Sequence, residues 1–177
     1  AGARAVEEIL AGEQAAGGRR FEITVFGEEP YGNYNRILLS GVLNGTHDPG
    51  AIFLHPFSWY EENGVTLHAG DRVTALDRAR REVRSESGRV VPYDRCIIAT
   101  GSRPFIPPIA GLRAPSGEPK PGVFVFRTLD DCRRIARHAR RSTRAAVIGG
   151  GLLGLEAAYG LKDQGVEVTV LQHSDRL

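Results

Sequence analysis

Ala146-Val147-Ile148-Gly149-Gly150-Gly151-Leu152-Leu153-Gly154 is the stretch that decides the fold. Its three opening residues read as a short, wholly apolar strand, as in a parallel sheet covered on both faces. Leu152, Leu155, Ala158 and Leu161 then recur at helical spacing, leaving Glu156, Lys162 and Asp163 to reach solvent or a ligand. Gly165 ends that helix, and Val166 to Leu171 alternates into a second strand. A G-x-G-x-x-G between strand and helix is a device for holding the pyrophosphate of a dinucleotide. Gly149 allows the tight turn, Gly151 lets the backbone approach the phosphates, and Gly154 lets helix and strand pack closely. The free N–H groups at Leu152 and Leu153, with the positive end of the helix dipole, face the anion. An ordinary strand-to-helix turn is the plain alternative, and the surrounding strand–helix–strand context argues against it.

With 177 residues the chain can bury one full core or two small ones. A hydrophobic fraction of 41% and a charged fraction of 25% fit a soluble globular protein. No apolar run is long enough to span a membrane and no charged-then-apolar leader is present, so a cytoplasmic protein is expected. A net charge of +2 does not by itself imply a nucleic-acid partner. Cys96 and Cys132 stand apart, with no C-x-x-C, which argues against a dithiol relay or a cysteine-built zinc site. Both are expected to be buried and structural. His47, His55, His68, His138 and His173 show no metal-ligand spacing, so no metal site is expected. The chain has no methionine, even at position 1, and we expect a fragment.

Working outward, Ala1 to Ala16 follows the helical period through Ala3, Val6, Ile9 and Leu10, with Glu7, Glu8 and Glu13 outward. Gly17-Gly18 breaks it, and Phe21 to Phe26 alternates as a strand delivering Gly27-Glu28-Glu29-Pro30. Helix, turn, strand and acid make the second half of a Rossmann unit, whose first strand and opening glycines would precede Ala1. Tyr31 to Gly45 is helix and turn, and Ser58 with Glu61 offers a capping box for a short helix. Val65 to His68 is a strand, and Arg72–Asp77, Glu82–Arg84 and Arg89–Val91 read as antiparallel strands. Arg95 to Thr100 is an apolar strand ending in Gly101-Ser102, after which six prolines make an extended linker. Thr128 to Arg141 is a helix with Leu129, Cys132, Ile135, Ala136 and Ala139 inward. The expected fold is α/β: two Rossmann-like dinucleotide-binding domains, residues 1–115 and 116–177, with an antiparallel β insertion.

Two dinucleotide folds joined by an Ala99-Thr100-Gly101-Ser102 crossing resemble the pyridine nucleotide-disulfide oxidoreductase superfamily across essentially the whole chain. More narrowly, Gly27-Glu28-Glu29-Pro30-Tyr31 with Asn33-Tyr34-Asn35-Arg36-Ile37-Leu38-Leu39-Ser40 looks like the flavin domain of assimilatory nitrite reductase large subunits. Rubredoxin and ferredoxin reductases share a looser version. The resemblance implies FAD in the first unit, NADH or NADPH in the second, and hydride transfer from nicotinamide to flavin. It implies Gly2 as the third glycine of the flavin loop, where a side chain would wedge helix from strand. Glu28 then accepts hydrogen bonds from the adenosine ribose, with Glu29 the runner-up. Arg36 serves the flavin-phosphate region, Val73 reads adenine through its backbone, and Thr100 and Gly101 pass close to FAD. Glu156 corresponds to a carboxylate beside flavin and nicotinamide, the one catalytic candidate.

Departures from the family pattern are informative. Some relatives keep a redox cysteine, and ferredoxin reductases a lysine, where this chain has Gly41, so a cysteine-dependent mechanism is not expected. Electrons should leave the flavin toward another cofactor or partner, and nitrite reduction is the expected direction. Sirohaem and an iron–sulfur cluster, in that reading, belong to regions outside the chain. At the end of the second nucleotide-site strand, an NAD-specific fold has an acid; here Gln172-His173 stands, with Arg176 nearby. NADH and NADPH both stay open. Two alternatives remain: a stand-alone reductase serving a separate iron–sulfur protein, and a non-enzymatic arginine-rich module for nucleic acid or an acidic partner. Arg133, Arg134, Arg137, Arg140, Arg141 and Arg144 motivate the second, but 21 arginines against 2 lysines spread along the chain argue for compositional bias.

Overall fold

The computed structural model describes residues 1–175, and their contacts divide into two compact units. The first comprises Ala1–Tyr34 with Phe53–Ser102; the second comprises Asn35–Ile52 with the chain from Arg103 onward.

In the first unit, helix α1 (Gly2–Ala15) leads to strand β1 (Ile23–Gly27), which pairs in parallel with β2 (Val65–Ala69). The register runs from Ile23 opposite Val65 to Gly27 opposite Ala69. Helix α3 (Phe57–Glu62) precedes β2 and places Tyr60 against Val6 and Val65, with Leu10, Ile23, Val25, Trp59 and Leu67 around them. Parallel pairing needs such a covering layer, and this cluster supplies it from α1 and α3. Glu13 was expected to face outward, but it is buried. Its carboxylate accepts from the N–H groups of Arg20 and Phe21 at 2.5 and 2.6 Å, satisfying the backbone where Gly17, at φ +81°, turns the chain. The expected Ser58 cap also fails: α3 starts from Pro56 with no side-chain cap, and Ser58 and Glu61 are exposed inside the helix.

Strands β3 (Val73–Asp77), β4 (Glu82–Ser85) and β5 (Val90–Pro92) form the expected antiparallel insertion. The segment 95–100 is the main departure in this unit. It forms no strand and joins no ladder: the parallel sheet here has only β1 and β2 among the described residues. Ile98 is 72% exposed and Cys96 is exposed, so Cys96 is not the buried cysteine that the apolar pattern predicts.

In the second unit, β6 (Arg144–Ile148), α5 (Leu152–Asp163) and β7 (Glu167–Leu171) make a strand–helix–strand unit with parallel strands, Arg144 opposite Glu167 and Ile148 opposite Leu171. Gly165, at φ +82°, follows α5 as expected. The buried side of α5 is Ala157, Ala158, Gly160 and Leu161, while Leu152 and Leu155 are exposed, Leu152 to 78%. Small residues win because α5 is approached closely: a β-carbon on Gly160 would sit 3.1 Å from the Leu43 side chain. Nor is β6 covered on both faces; Arg144, Ala146 and Ile148 alternate outward in the two-stranded sheet.

Leu43 belongs to α2 (Leu39–Leu43), which follows a 3₁₀ turn at Arg36–Leu38 and packs on both α5 and α4 (Leu129–Ala139). Gln164 donates to the Leu43 carbonyl at 2.5 Å, and the Cys132 thiol approaches the Leu39 carbonyl at 3.6 Å. Helix α4 begins with a capping box that the sequence reading did not identify. Thr128 Oγ1 accepts from Asp131 N–H at 3.0 Å, and Asp131 Oδ2 accepts from Thr128 N–H at 2.9 Å. Asp replaces the usual Glu or Gln, which hides the motif.

Asp71 ties the insertion to the parallel sheet. Its N–H donates to Gly27 O, and its carboxylate accepts from Ser85 Oγ at 2.9 Å, Ser87 Oγ at 2.7 Å and Ser87 N–H at 3.1 Å, with Arg89 Nε at 3.3 Å. The Ser87 hydroxyl above all holds this carboxyl below its ordinary value. Its contribution to stability is therefore complete above the unfolded value, about pH 4, and is lost as pH falls through the lowered folded value. Asp71→Asn is expected to lower the melting temperature at pH 7 and to flatten part of its fall below about pH 4, checked by thermal melts across pH.

Candidate functional site

The glycine loop between β6 and α5 takes the shape a phosphate site requires. Gly149 lies at φ +109°, and its N–H donates to Leu171 O at 2.8 Å. Gly150 is buried, and its N–H donates to Gln172 Oε1 at 2.8 Å. Gly151 is the N-cap of α5 and offers no side-chain cap, so the N–H groups of Leu152, Leu153 and Gly154 remain for an incoming acceptor. A β-carbon on Gly151 would meet nothing within 4 Å, leaving open space over the loop. On Gly154 it would lie 1.9 Å from Gly149 O and 3.7 Å from Val147 Cγ1. Gly154 is thus required where α5 passes under the loop's own backbone. Pyrophosphate, a double anion with several acceptor oxygens, fits this uncapped helix start.

Gln172 directly follows β7, the position expected to carry an acid, and its side chain instead braces the loop. His173 is exposed, and Arg176 lies outside the described residues. Glu156 is half-buried in the second turn of α5, two positions past Gly154.

In the first unit the carboxyl end of β1 presents two acids in different states. Glu29 is half-buried and accepts from Tyr34 Oη at 2.5 Å. The Glu28 side chain is 68% exposed, with Arg72 Nε 3.9 Å away. Glu28 is therefore the more exposed of the two carboxylates, and the Tyr34–Glu29 bond is a contact sequence reasoning missed. Val73 opens β3 directly after Arg72 and is exposed, as are Thr100 and Gly101, the latter at φ +74°. Gly2 starts α1, and a β-carbon there would meet Ala99 Cβ at 3.4 Å, an ordinary contact. A methyl group fits, so the expected wedge applies only to larger side chains. The Gly2–Ala99 approach brings the 99–101 segment beside the start of α1.

Arg36, in the second unit, opens the 3₁₀ turn capped by Asn35 Oδ1 and donates to Arg127 O at 3.1 Å. At Gly41 a β-carbon would lie 2.1 Å from His47 Nδ1, so the imidazole fills the space a side chain at 41 would need. Cys132 is buried, and burial pushes its thiol up to about 11, which makes it inert near neutrality. No cluster of three His, Cys, Asp or Glu residues placed to hold a metal occurs among the described residues.

Two alanine substitutions separate space for ligand from space for backbone. Gly154→Ala is expected to cost about 1–3 kcal/mol of stability, by overpacking against a carbonyl that cannot move alone. Gly151→Ala should leave the melting temperature nearly unchanged while weakening dinucleotide binding by about tenfold or more, because its methyl enters the ligand's space. Thermal melts and titration with ADP-ribose check both.

Comparison with known proteins places the chain. The family described as pyridine nucleotide-disulphide oxidoreductase matches residues 1–177. The assimilatory nitrate reductase electron transfer subunit of Bacillus subtilis (strain 168) is 44% identical over 174 residues, 98% of this chain and 21% of that protein. The NAD(P)H nitrite reductase of the same organism is 46% identical over 171 residues, 97% of this chain and 20% of that one. Among solved structures, the covalent putidaredoxin reductase–putidaredoxin complex aligns with a TM-score of 0.78 at 30% identity, covering 96% of this chain and 40% of the other. The chain spans about one fifth of the length of these curated relatives. An α/β fold with parallel sheets, an antiparallel insertion, a glycine loop at the start of α5 and a family match across residues 1–177 agree: the chain belongs to the pyridine nucleotide-disulphide oxidoreductase family.

Proposed function

We propose that this chain is part of an FAD-dependent oxidoreductase that takes hydride from NADH or NADPH and passes electrons to a redox partner. The observation that carries the reading is the loop at 149–154, open above Gly151 and closed by backbone beneath Gly154. Family membership, a relative named as an electron transfer subunit and the likeness to a putidaredoxin reductase support it. When bound, the flavin accepts a hydride from the nicotinamide and releases its electrons onward.

We assign residues 1–115 to flavin binding and 116–177 to the start of the pyridine-nucleotide domain. Glu28 accepts the adenosine ribose hydroxyls, Val73 offers its backbone to adenine, and Thr100 and Gly101 pass beside the cofactor. Arg36 supplies positive charge for the flavin phosphates, and Glu156 orients the reacting rings. Gly149, Gly151, Leu152, Leu153 and Gly154 hold the nucleotide pyrophosphate, with Gln172 and His173 at its adenosine end. We place the module in the cytoplasm; no helix among the described residues is long and apolar enough to cross a membrane.

The broad partner-directed reading has wider support than a fixed commitment to nitrite. One relative is named as an electron transfer subunit, and one solved relative is a reductase in covalent complex with putidaredoxin. Nitrite as terminal acceptor is the second reading, favoured by the 46% identity to an NAD(P)H nitrite reductase. Sirohaem and iron–sulfur sites then belong to other segments. For the arginine-rich binding module the structure adds little: on α4, Arg133 and Arg134 pair with Asp130 and Asp131, so part of that face is already neutralised.

Purified full-length protein should show flavin absorbance that NADH or NADPH bleaches in the absence of oxygen. Missing flavin bands, or a bound flavin that neither nucleotide bleaches, would overturn the proposal. Glu28→Ala should weaken FAD binding about tenfold or more, through loss of a charge-assisted hydrogen bond worth about 1.5–3 kcal/mol, as read by equilibrium dialysis.

A further inference from the structure

The chain contains two Asn-Gly pairs, Asn44-Gly45 and Asn63-Gly64, and the fold treats them differently. Glycine has no β-carbon to screen its backbone nitrogen, so that nitrogen can reach the preceding side-chain amide. Each asparagine follows a short helix, Asn44 at φ −85° and ψ 0°, Asn63 at φ −93° and ψ 9°. Both asparagines are half-buried and both glycines are exposed. Backbone shape and solvent access are thus matched, and what distinguishes the pairs is what holds the reacting groups.

At Asn63 the leaving nitrogen and the nucleophile are both engaged. Nδ2 donates to Trp59 O at 2.8 Å, and Gly64 N–H donates to Glu61 O at 2.8 Å. The Arg19 guanidinium donates to Gly64 O and fills the space a β-carbon at Gly64 would take. At Asn44 the arrangement is reversed. Oδ1 accepts from Thr46 N–H at 3.1 Å and from Thr46 Oγ1 at 2.7 Å, while Nδ2 makes no hydrogen bond among the described residues. Thr46 N–H can only donate, which fixes the oxygen on that side. Gly45 N–H has only a long 3.3 Å bond to Val42 O, and a β-carbon on Gly45 would meet nothing within 4 Å. Two donors therefore face the oxygen on which charge develops when Cγ is attacked, the leaving nitrogen is untied and the nucleophile is loosely held.

We propose that Asn44-Gly45-Thr46 is a self-modification site, at which Gly45 N displaces the Asn44 amide nitrogen and Thr46 stabilises the intermediate. The bond from Gly45 N to Asn44 Cγ forms as that nitrogen gives its proton to water, and the tetrahedral intermediate takes up a proton and expels Nδ2 as ammonia. Water then opens the cyclic imide at either carbonyl, leaving aspartate or isoaspartate, with no change of oxidation state. Either product places a new negative charge at the end of α2. Isoaspartate also adds a main-chain methylene directly after Leu43, whose side chain is seated against Gly160 of α5.

The test is storage of the full-length protein in neutral buffer, followed by peptide mass spectrometry and by labelling with an isoaspartyl methyltransferase. In the folded protein Asn44 should convert more than about tenfold faster than Asn63, whereas in denaturant the two should agree within about threefold. Thr46→Val removes the hydroxyl and keeps the N–H. It should slow Asn44 conversion about threefold or more in the folded protein and leave it unchanged in denaturant. Thr46→Ser should restore the wild-type rate, which separates the hydroxyl from a general loss of structure at position 46. Folded-state conversion of Asn63 within about tenfold of Asn44 overturns the proposal. So does an equally strong preference for Asn44 in denaturant, which would assign it to sequence alone. A Thr46→Val rate equal to or above wild type, or isoaspartyl label undiminished in Asn44→Gln, overturns it as well.

Discussion

The carbonyl oxygen of Gly149 lies 1.9 Å from where a β-carbon at position 154 would stand, and the second unit is arranged around that contact. Only a residue without a side chain lets α5 start directly beneath the loop it caps. The helix axis then points its first N–H groups, which no side chain caps, toward the open space above Gly151, a setting that favours an anion. The same close approach explains why the inward face of α5 consists mostly of small residues. Ala157, Ala158 and Gly160 admit neighbours that leucines would exclude, and Leu43 of α2 occupies the room at Gly160. Larger apolar residues such as Leu152 and Leu153 are turned outward in the first turn, flanking the loop.

Side chains secure the main chain at several element ends. Glu13 accepts from two N–H groups beyond α1, Asp131 closes the start of α4, and Gln172 holds the loop amide of Gly150. Asp71 collects two hydroxyls, an N–H and a guanidinium at the junction of the parallel sheet with the antiparallel insertion. No buried side-chain nitrogen or oxygen among the described residues lacks a partner. Such pairing is what burial demands of polar groups, and here it keeps the functional loops in place. It also sorts residues by exposure. Glu29 is engaged by Tyr34, and the neighbouring Glu28 stays largely exposed.

Much of this was legible in the residues alone. The glycine spacing at 149–154, the strand-to-acid run ending at Glu28 and the apolar face of α4 each depend on local periodicity, which the chain displays directly. The failures share a different cause. Ile97 and Ile98 have the composition of a buried strand, yet among the described residues no second strand meets them, and a ladder needs two members. Leu152 and Leu155 have helical spacing toward the wrong side, because the inward direction of α5 is chosen by Leu43 and β7, remote in sequence. Ser58 has capping chemistry, but Pro56 starts the helix first.

The amino-acid sequence by itself determined the α/β class, the place of the glycine loop, the absence of a thiol at Gly41 and the family, since each rests on residue type at short, fixed spacing. Only the tertiary structure decided which of two adjacent acids is available, how the His47 ring fills the space beside Gly41, and what Gln172 does in place of an acid. Those outcomes depend on atoms brought together from distant positions or on the direction a side chain takes, and neither is encoded in spacing along the chain.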